Sequence, residues 1–193
     1  MIPPGFHIPP QGFNHLGSFT AQFDVVALNL LAAHCYLKFG PLRIAEVGSF
    51  AGTTTLELAK YAQTLYCVDT WKGAAPENFE NGVDAAYRDL GGDHVFDTFR
   101  ENTKHLPCVR PLRMPSVEAA KFIEEPLHLC FIDADHAEDA VRADVQAWMP
   151  RIISGGLICG HDYLPGVFDG VVRVADEIPK TGFLHTIWWR DIP

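Results

Sequence analysis

The stretch LRIAEVGSFAGTTTLELAKY, residues 42–61, decides the predicted fold. Its first six residues are mostly apolar, and the glycines Gly48 and Gly52 follow them, which indicates a buried strand that enters a tight turn. After the turn, residues 53–61 carry leucine and alanine at helical spacing. The stretch therefore predicts a strand, a glycine turn and a helix.

The turn itself has the features of an anion-binding loop. It places backbone N–H groups at the start of a helix, where they lack intrahelical partners, and Glu46 adds an acceptor beside them. The spacing is Glu-x-Gly-x-x-x-Gly and differs from the G-x-G-x-x-G of dinucleotide folds. A second predicted strand, residues 65–68, ends at Asp69, close to the place where nucleotide-binding folds hold ribose hydroxyls.

Four motifs together resemble a known enzyme class. Residues 46–52, EVGSFAG, with Asp69 resemble the cofactor loop of class I S-adenosylmethionine-dependent methyltransferases, and Phe50, where most of that class has glycine, is similar to the catechol and caffeoyl-CoA O-methyltransferases. The other three motifs resemble the macrocin O-methyltransferase and cephalosporin-biosynthesis group: CVDTWKG (67–73), FIDADHAEDAVRADVQAW (131–148) and GGLICGHDY (155–163). The motifs keep the family's order over roughly residues 42–178, which is more specific than any one of them.

The resemblance implies an α/β fold: a doubly wound, mostly parallel, Rossmann-like sheet with an antiparallel C-terminal strand and a shortened terminal hairpin. We expect one domain over residues 1–193, with an irregular proline-rich arm at 1–16, a helix at 17–40 and a possible lid or substrate excursion at 72–107. Gly155 and Gly156 predict a turn before a short fifth strand at 157–159. One face of the first helix is expected to carry Phe23, Val26, Ala27, Leu30, Leu31 and His34 toward the core.

Composition excludes several classes. The 193 residues are 48% hydrophobic and 20% charged, as in globular proteins, and no apolar run has membrane-spanning length. The net charge of −9 opposes nucleic acid as a partner. Five widely spaced cysteines without a CxxC pair indicate buried thiols in a reducing cytoplasm, and the N-terminus has no signal-peptide pattern.

Carboxylates gather after the fourth predicted strand. That strand, residues 127–132, is buried, so charge begins where it emerges, and Asp133 stands at its end in the crevice where ligands bind in such sheets. His161 and Asp162 end the neighbouring fifth strand. These side chains form a possible oxygen and nitrogen ligand set for a magnesium-like ion.

The resemblance assigns the site residue by residue. The amino acid end of S-adenosylmethionine would be held by the first turn and Asp133, its ribose by Asp69, and its adenine by Thr70, Trp71 and Ser116. The expected cofactor contacts are Glu46, Gly48, Ser49, Phe50, Gly52, Thr53, Asp69, Thr70, Trp71, Ser116 and Asp133. The metal-dependent relatives place their ligands at the positions of Asp133, His161 and Asp162. Asp133, His161 and His136 are the catalytic candidates.

His161 departs from the family, whose members usually have an acidic residue there. Histidine is a poor magnesium ligand but suits manganese, iron or zinc. Three alternatives follow: a softer metal, magnesium held by Asp133 and Asp162 alone, or His161 as a metal-free general base.

The sequence therefore predicts an S-adenosylmethionine-dependent O-methyltransferase that acts on a small molecule such as a sugar, phenol or natural-product intermediate. A divalent metal, magnesium or manganese, could assist. A nicotinamide-dependent oxidoreductase and a non-catalytic cofactor-binding protein are the alternatives. We expect a small-molecule acceptor as partner, neither nucleic acid nor membrane, and the arm could cross to a neighbour in a homo-oligomer.

Overall fold

The computed structural model describes residues 22–73 and 91–193, which form one seven-stranded sheet. The strand order is β3-β2-β1-β4-β5-β7-β6. The first five strands run parallel, and β7 pairs antiparallel with both β5 and β6. The strands are β1 (Leu42–Val47), β2 (Ala62–Asp69), β3 (Val109–Arg113), β4 (Leu127–Ile132), β5 (Ile152–Gly160), β6 (Gly182–Leu184) and β7 (Ile187–Asp191).

Helices cover both faces of the sheet, because a parallel strand needs a crossover to reach its neighbour. They are α1 (Gln22–Phe39), α2 (Thr53–Leu58), α3 (Gly92–Thr103), α4 (Ser116–Phe122), α5 (Glu138–Trp148) and α6 (Asp169–Glu177), with a short 3₁₀ turn at Met149–Arg151. None of the described helices is long and apolar enough to cross a bilayer.

Successive strand residues face opposite sides of the sheet, which divides the core in two. On β4, Leu129 and Phe131 pack in the cluster that contains α1, α2 and α3, whereas Cys130 and Ile132 pack in the cluster that contains α4, α5 and α6. The expected doubly wound sheet, its antiparallel C-terminal strand and its shortened hairpin are confirmed.

The strand order reverses direction between β1 and β4, and this switch point positions the site. In open α/β sheets, ligands bind outside the carboxyl ends of strands at such a point. Here β1 leads into the glycine turn and β4 leads into Asp133, and the two turns touch: Asp133 N–H donates to the Val47 carbonyl over 2.7 Å.

Three local expectations are corrected. Helix α2 ends at Leu58 rather than near residue 61. Gly155 and Gly156 lie inside β5 rather than in a turn before it, since Gly155 takes a φ of 76° beside a register shift between β4 and β5. The predicted inner face of α1 is only partly buried: Ala27 lies in the core, but the exposed fraction is 70% for Phe23 and 51% for Leu30, and His34 is also exposed.

Four cysteines are buried, Cys108 is half-buried, and all five are free thiols. The irregular arm at 1–16, the first residues of the expected helix at 17–40, and residues 74–90 of the expected excursion lie outside the described residues. The single-domain assignment and the roles of the arm and the excursion stay predictions.

Candidate active site

The glycine turn between β1 and α2 is a compact loop of residues 48–52. Gly48 and Gly52 have φ values of 90° and 91°, which glycine adopts without strain, and Phe50 has a φ of 43°. A Cβ on Gly48 would lie 1.9 Å from the carbonyl oxygen of Asp133. Only glycine therefore lets the turn after β1 pack against the turn after β4.

Glu46 lies at the end of β1 and is fully buried. Its two carboxyl oxygens accept hydrogen bonds from the hydroxyls of Thr54, over 2.5 Å, and Thr55. Complete burial raises the pKa of Glu46 to about 7, and the charge of Asp133 adds to the rise, although the hydroxyls of Thr54, Thr55 and Ser49 oppose it. In this structure Glu46 fastens the first turn of α2 to β1, and its expected cofactor contact stays a prediction.

Asp69 links two turns at the end of β2. Its carboxylate accepts the backbone N–H of Phe50 over 3.0 Å and that of Trp71 over 2.7 Å. The indole of Trp71 donates to the Phe50 carbonyl over 2.8 Å, so the two turns are joined twice. Asp69 thus fixes the loop that would hold the methionine end, and its expected contact with the ribose stays a prediction.

The remaining residues of these two turns have different environments. Thr53 begins α2 and is half-buried, and the Thr70 hydroxyl accepts the Lys72 backbone N–H over 3.2 Å. The Trp71 ring is completely buried and lies 4.6 Å from Phe96 and 5.0 Å from Phe99, centroid to centroid. Trp71 is therefore a core residue here, and its expected contact with adenine stays a prediction.

Ser116 belongs to a buried polar cluster at the start of α4. Its hydroxyl accepts the Trp148 indole N–H over 2.8 Å and also hydrogen-bonds Asp144. Burial raises the pKa of Asp144 to about 6, the Ser116 hydrogen bond lowers it, and the charge of Asp135 raises it. This cluster joins α4 to α5, and the predicted contact of Ser116 with adenine stays a prediction.

The three predicted metal ligands converge beside the glycine turn. His161 Nδ1 lies 3.1 Å from Asp133 Oδ1 and 3.3 Å from Asp162 Oδ1, and one ligand atom from each residue lies within 4.8 Å of the others. Burial lowers the pKa of His161, but the nearby carboxylates of Asp133, Asp162 and Asp24 outweigh it, so the pKa is raised far above its usual range. Without a metal, His161 is a cation held between carboxylates.

His136, the other catalytic candidate, belongs to the same cluster. Its Nε2 lies 2.8 Å from Asp162 Oδ2, and its ring lies 4.4 Å from the Phe168 ring. Burial lowers the pKa of His136, but the hydrogen bond and charge of Asp162, with the charges of Asp133 and Asp135, raise it above the usual value. Histidine paired with a carboxylate in this way is the arrangement of a general base.

Comparison with known proteins places the chain in a family. The model of the family described as "Methyltransferase domain" matches residues 45–163, more than half of the chain. The chain belongs to this family. The matched segment holds the glycine turn, Asp69, Asp133, His161 and Asp162, and the class I S-adenosylmethionine-dependent methyltransferase fold expected from the motifs is thereby confirmed.

Two solved structures share the fold of this methyltransferase domain. The O-methyltransferase NovP aligns with a TM-score of 0.70 and 13% identity over 91% of this chain and 81% of NovP. The N-methyltransferase NodS from Bradyrhizobium japonicum WM9, in complex with S-adenosyl-L-homocysteine, aligns with a TM-score of 0.61 and 12% identity over 89% of this chain and 88% of NodS.

A sequence relative is much longer. The protein y4gI from Sinorhizobium fredii (strain NBRC 101917 / NGR234) is 25% identical over an alignment of 129 residues that covers 63% of this chain. The matched segment spans 13% of the length of y4gI.

The residues of the methyltransferase domain fit its expected cofactor. The Ser49 hydroxyl is buried close enough to Glu46 to lower its pKa, yet its geometry makes no full hydrogen bond among the described residues. A buried hydroxyl without a partner is costly, and a carboxylate or ammonium group of the cofactor in the turn could supply one. The donor set of two carboxylates and one imidazole also fits a divalent metal, since one ligand atom from each residue already lies within 4.8 Å of the others.

Sequence analysis missed one member of the cluster. Asp24, in the first turn of α1, is 2% exposed, and its Oδ2 lies 3.3 Å from His161 Nε2. No motif marks Asp24, because α1 precedes the matched segment and an acidic residue in a first helical turn is ordinary. The one available signal is an acidic residue within a mostly apolar helical run.

Proposed function

We propose that this methyltransferase domain transfers a methyl group from S-adenosylmethionine to a hydroxyl oxygen of a small molecule. The observation that carries the proposal is the contact between Gly48 and the backbone of Asp133. It brings the loop suited to the methyl donor and the polar cluster suited to the acceptor into one crevice. Methyl transfer depends mainly on holding two reactants in line, and adjacent sites supply that.

The donor side rests on the turn of residues 48–52 and on Asp69. Ser49 and the turn would bind the amino acid end of the cofactor, while Asp69 keeps the turn in position through Phe50 N–H. The sulfonium of S-adenosylmethionine supplies an activated methyl group, which leaves sulfur and bonds to the acceptor oxygen. The protein's contribution is orientation and exclusion of water.

The acceptor side must remove a proton from the hydroxyl. His136 donates from Nε2 to Asp162, and its Nδ1 makes no hydrogen bond among the described residues, so a neutral His136 can take that proton at Nδ1. The Asp162 carboxylate stabilises the resulting imidazolium. A divalent metal at Asp133, His161 and Asp162 would further lower the pKa of the acceptor hydroxyl.

The acceptor class follows from charge and chemistry. A net charge of −9 disfavours a polyanionic nucleic acid, so a neutral sugar, phenol or natural-product intermediate is the better candidate. The fold supports oxygen and nitrogen acceptors alike, since NovP is an O-methyltransferase and NodS an N-methyltransferase. Our choice of oxygen rests on the carboxylates and histidines, which suit deprotonation of a hydroxyl.

The test is a methyl-transfer screen over phenols and sugars, with Mn²⁺ or Mg²⁺ added, in which mass spectrometry identifies the methylated atom. Asp133→Asn should lower turnover at least ~100-fold, the lower range for loss of a group that assists proton transfer, with S-adenosylhomocysteine still bound. Asp135→Asn is the matched control: Asp135 follows the same strand, but its carboxylate caps Ala137 N–H, and turnover should change only a few-fold.

Other results would contradict the proposal. Full activity in Asp133→Asn removes Asp133 from the reaction. Tight binding of S-adenosylhomocysteine without transfer to any acceptor favours the non-catalytic binding protein. Methylation of nitrogen in the products would contradict the choice of oxygen.

A further inference from the structure

Asp24 connects helix α1 and the turn between β6 and β7 to His161, and neither element otherwise belongs to the site. Its Oδ1 accepts three hydrogen bonds from the turn between β6 and β7: from Thr186 N–H (3.1 Å), the Thr186 hydroxyl (2.7 Å) and His185 Nδ1 (2.6 Å). Its Oδ2 faces His161 Nε2. Three donors that converge on Oδ1 are the surroundings of an ionised carboxylate, which only accepts hydrogen bonds.

An ionised Asp24 decides which ring nitrogen of His161 can act as a ligand. A carboxylate only accepts, so His161 Nε2 must carry a hydrogen. Nδ1, which faces Asp133 and Asp162, is then the nitrogen that would bind a metal, and it would release its proton to do so. Metal-bound histidines commonly donate their other N–H to a carboxylate, which fixes the ring and strengthens the ligand.

We propose that Asp24 is a positioning residue that turns His161 Nδ1 toward Asp133 and Asp162 and so makes the site prefer Mn²⁺ over Mg²⁺. This inference rests on the metal-assisted form of the proposed function. Mg²⁺ favours oxygen ligands and water, whereas Mn²⁺ accepts imidazole nitrogen more readily. The preference comes from His161, and Asp24 keeps His161 in the orientation that produces it.

The experiment measures metal affinity rather than activity, by calorimetry and by the electron paramagnetic resonance signal of free Mn²⁺. The native chain should bind Mn²⁺ at least ~10-fold more tightly than Mg²⁺. Asp24→Asn should weaken Mn²⁺ binding ~10- to 100-fold, the range for loss of an outer-shell partner. His161→Asp should remove the preference for Mn²⁺, because all three ligands are then carboxylates.

A double-mutant cycle separates positioning from a general structural effect. Asp24→Asn should have no effect on Mn²⁺ affinity when His161→Asp is already present, since the residue that Asp24 orients is gone. His185→Ala is the matched control: it removes a contact to the other oxygen of Asp24, and His185 is partly exposed, so Mn²⁺ affinity should change less than ~3-fold. Near-ultraviolet circular dichroism and thermal unfolding report whether each variant is folded.

Three results would overturn the inference: unchanged Mn²⁺ affinity in Asp24→Asn, an equal loss in both backgrounds of the cycle, or absence of Mn²⁺ binding by the native chain. The last result is distinguishable from failure of the proposed function. A chain that binds no metal yet methylates an acceptor retains the proposed transfer and loses only this inference, whereas a chain that does not bind S-adenosylhomocysteine loses the proposed function.

Discussion

At the scale of single residues, Glu46 shows how a buried carboxyl group can serve the fold. No cation contacts it among the described residues, and its partners are the hydroxyls of Thr54 and Thr55. Burial without a cation favours the neutral acid, so the pKa of Glu46 is raised from 4.5 to about 7. The folded protein therefore holds one more proton than the unfolded chain between about pH 4.5 and pH 7.

This proton gives a prediction for stability. Since the folded pKa is raised, the stabilising contribution is complete below pH 4.5 and is lost as the pH rises through 7. Glu46→Gln removes the titration, so the free energy of unfolding of the variant should gain about 2 to 3 kcal/mol relative to the native chain between pH 5 and pH 8. Urea unfolding of both proteins at the two pH values measures the difference. If the two proteins differ in free energy of unfolding by the same amount at both pH values, folding does not raise the pKa of Glu46.

The residue scale also shows what sequence reasoning could reach. Asp133, His161 and Asp162 were predicted to converge because each follows the end of one of two adjacent parallel strands, and strand ends can be located from local patterns. Asp24 was not predicted, because its position beside His161 depends on how α1 docks on the sheet. No local pattern carries that information.

At the scale of elements, prediction succeeded where a pattern is local and failed where packing decides. Strand β4 has the predicted bounds because a short apolar run flanked by charge has one interpretation. Helix α1 is apolar on most sides, so its periodicity could not identify the buried face. The glycines of β5 predict a turn although they lie in a strand, because a bulge and a turn can both require a positive φ.

The turn after β1 gives a prediction at this scale. Gly48→Ala would add a positive-φ penalty and a Cβ 1.9 Å from the Asp133 carbonyl oxygen, which forces β1 away from β4. The variant should lose about 3 kcal/mol or more, as expected from left-handed strain plus overpacking. Gly40→Ala is the matched control, because Gly40 has a φ of 73° and nothing within 4 Å of its Cβ position, and it should lose about 1 kcal/mol. Urea unfolding measures the loss of stability in each variant. Equal losses would mean that the close approach of Gly48 to Asp133 does not contribute to the cost of the substitution.

At the scale of the whole molecule, the turn of residues 48–52 joins several layers of the fold. It contacts β2 through Asp69, β4 through Asp133, and α3 through the hydrogen bond from the Asn102 side chain to the Ala51 carbonyl, 2.8 Å long. A Cβ atom added to Gly52 would lie 3.2 Å from the Phe99 ring, so α3 packs directly against the turn. A ligand that binds this turn should therefore stabilise the whole domain against unfolding, and not the turn alone.

This coupling leads to a ligand-linkage prediction. A ligand that binds only the folded state at 100 times its dissociation constant adds about 2.7 kcal/mol, which raises the Tm of a domain of this size by roughly 5 to 10 °C. S-adenosylhomocysteine should produce such a shift. NAD⁺ should produce none, because the Glu-x-Gly-x-x-x-Gly turn lacks the G-x-G-x-x-G glycine spacing of dinucleotide-binding folds. Asp69→Asn should reduce the ligand-induced shift at the same concentration, since one of the two backbone N–H groups of Phe50 and Trp71 loses the oxygen acceptor that aligns the turn. A shift with NAD⁺ would favour the oxidoreductase alternative. No shift with S-adenosylhomocysteine at millimolar concentration would contradict a methyl-donor site in this crevice.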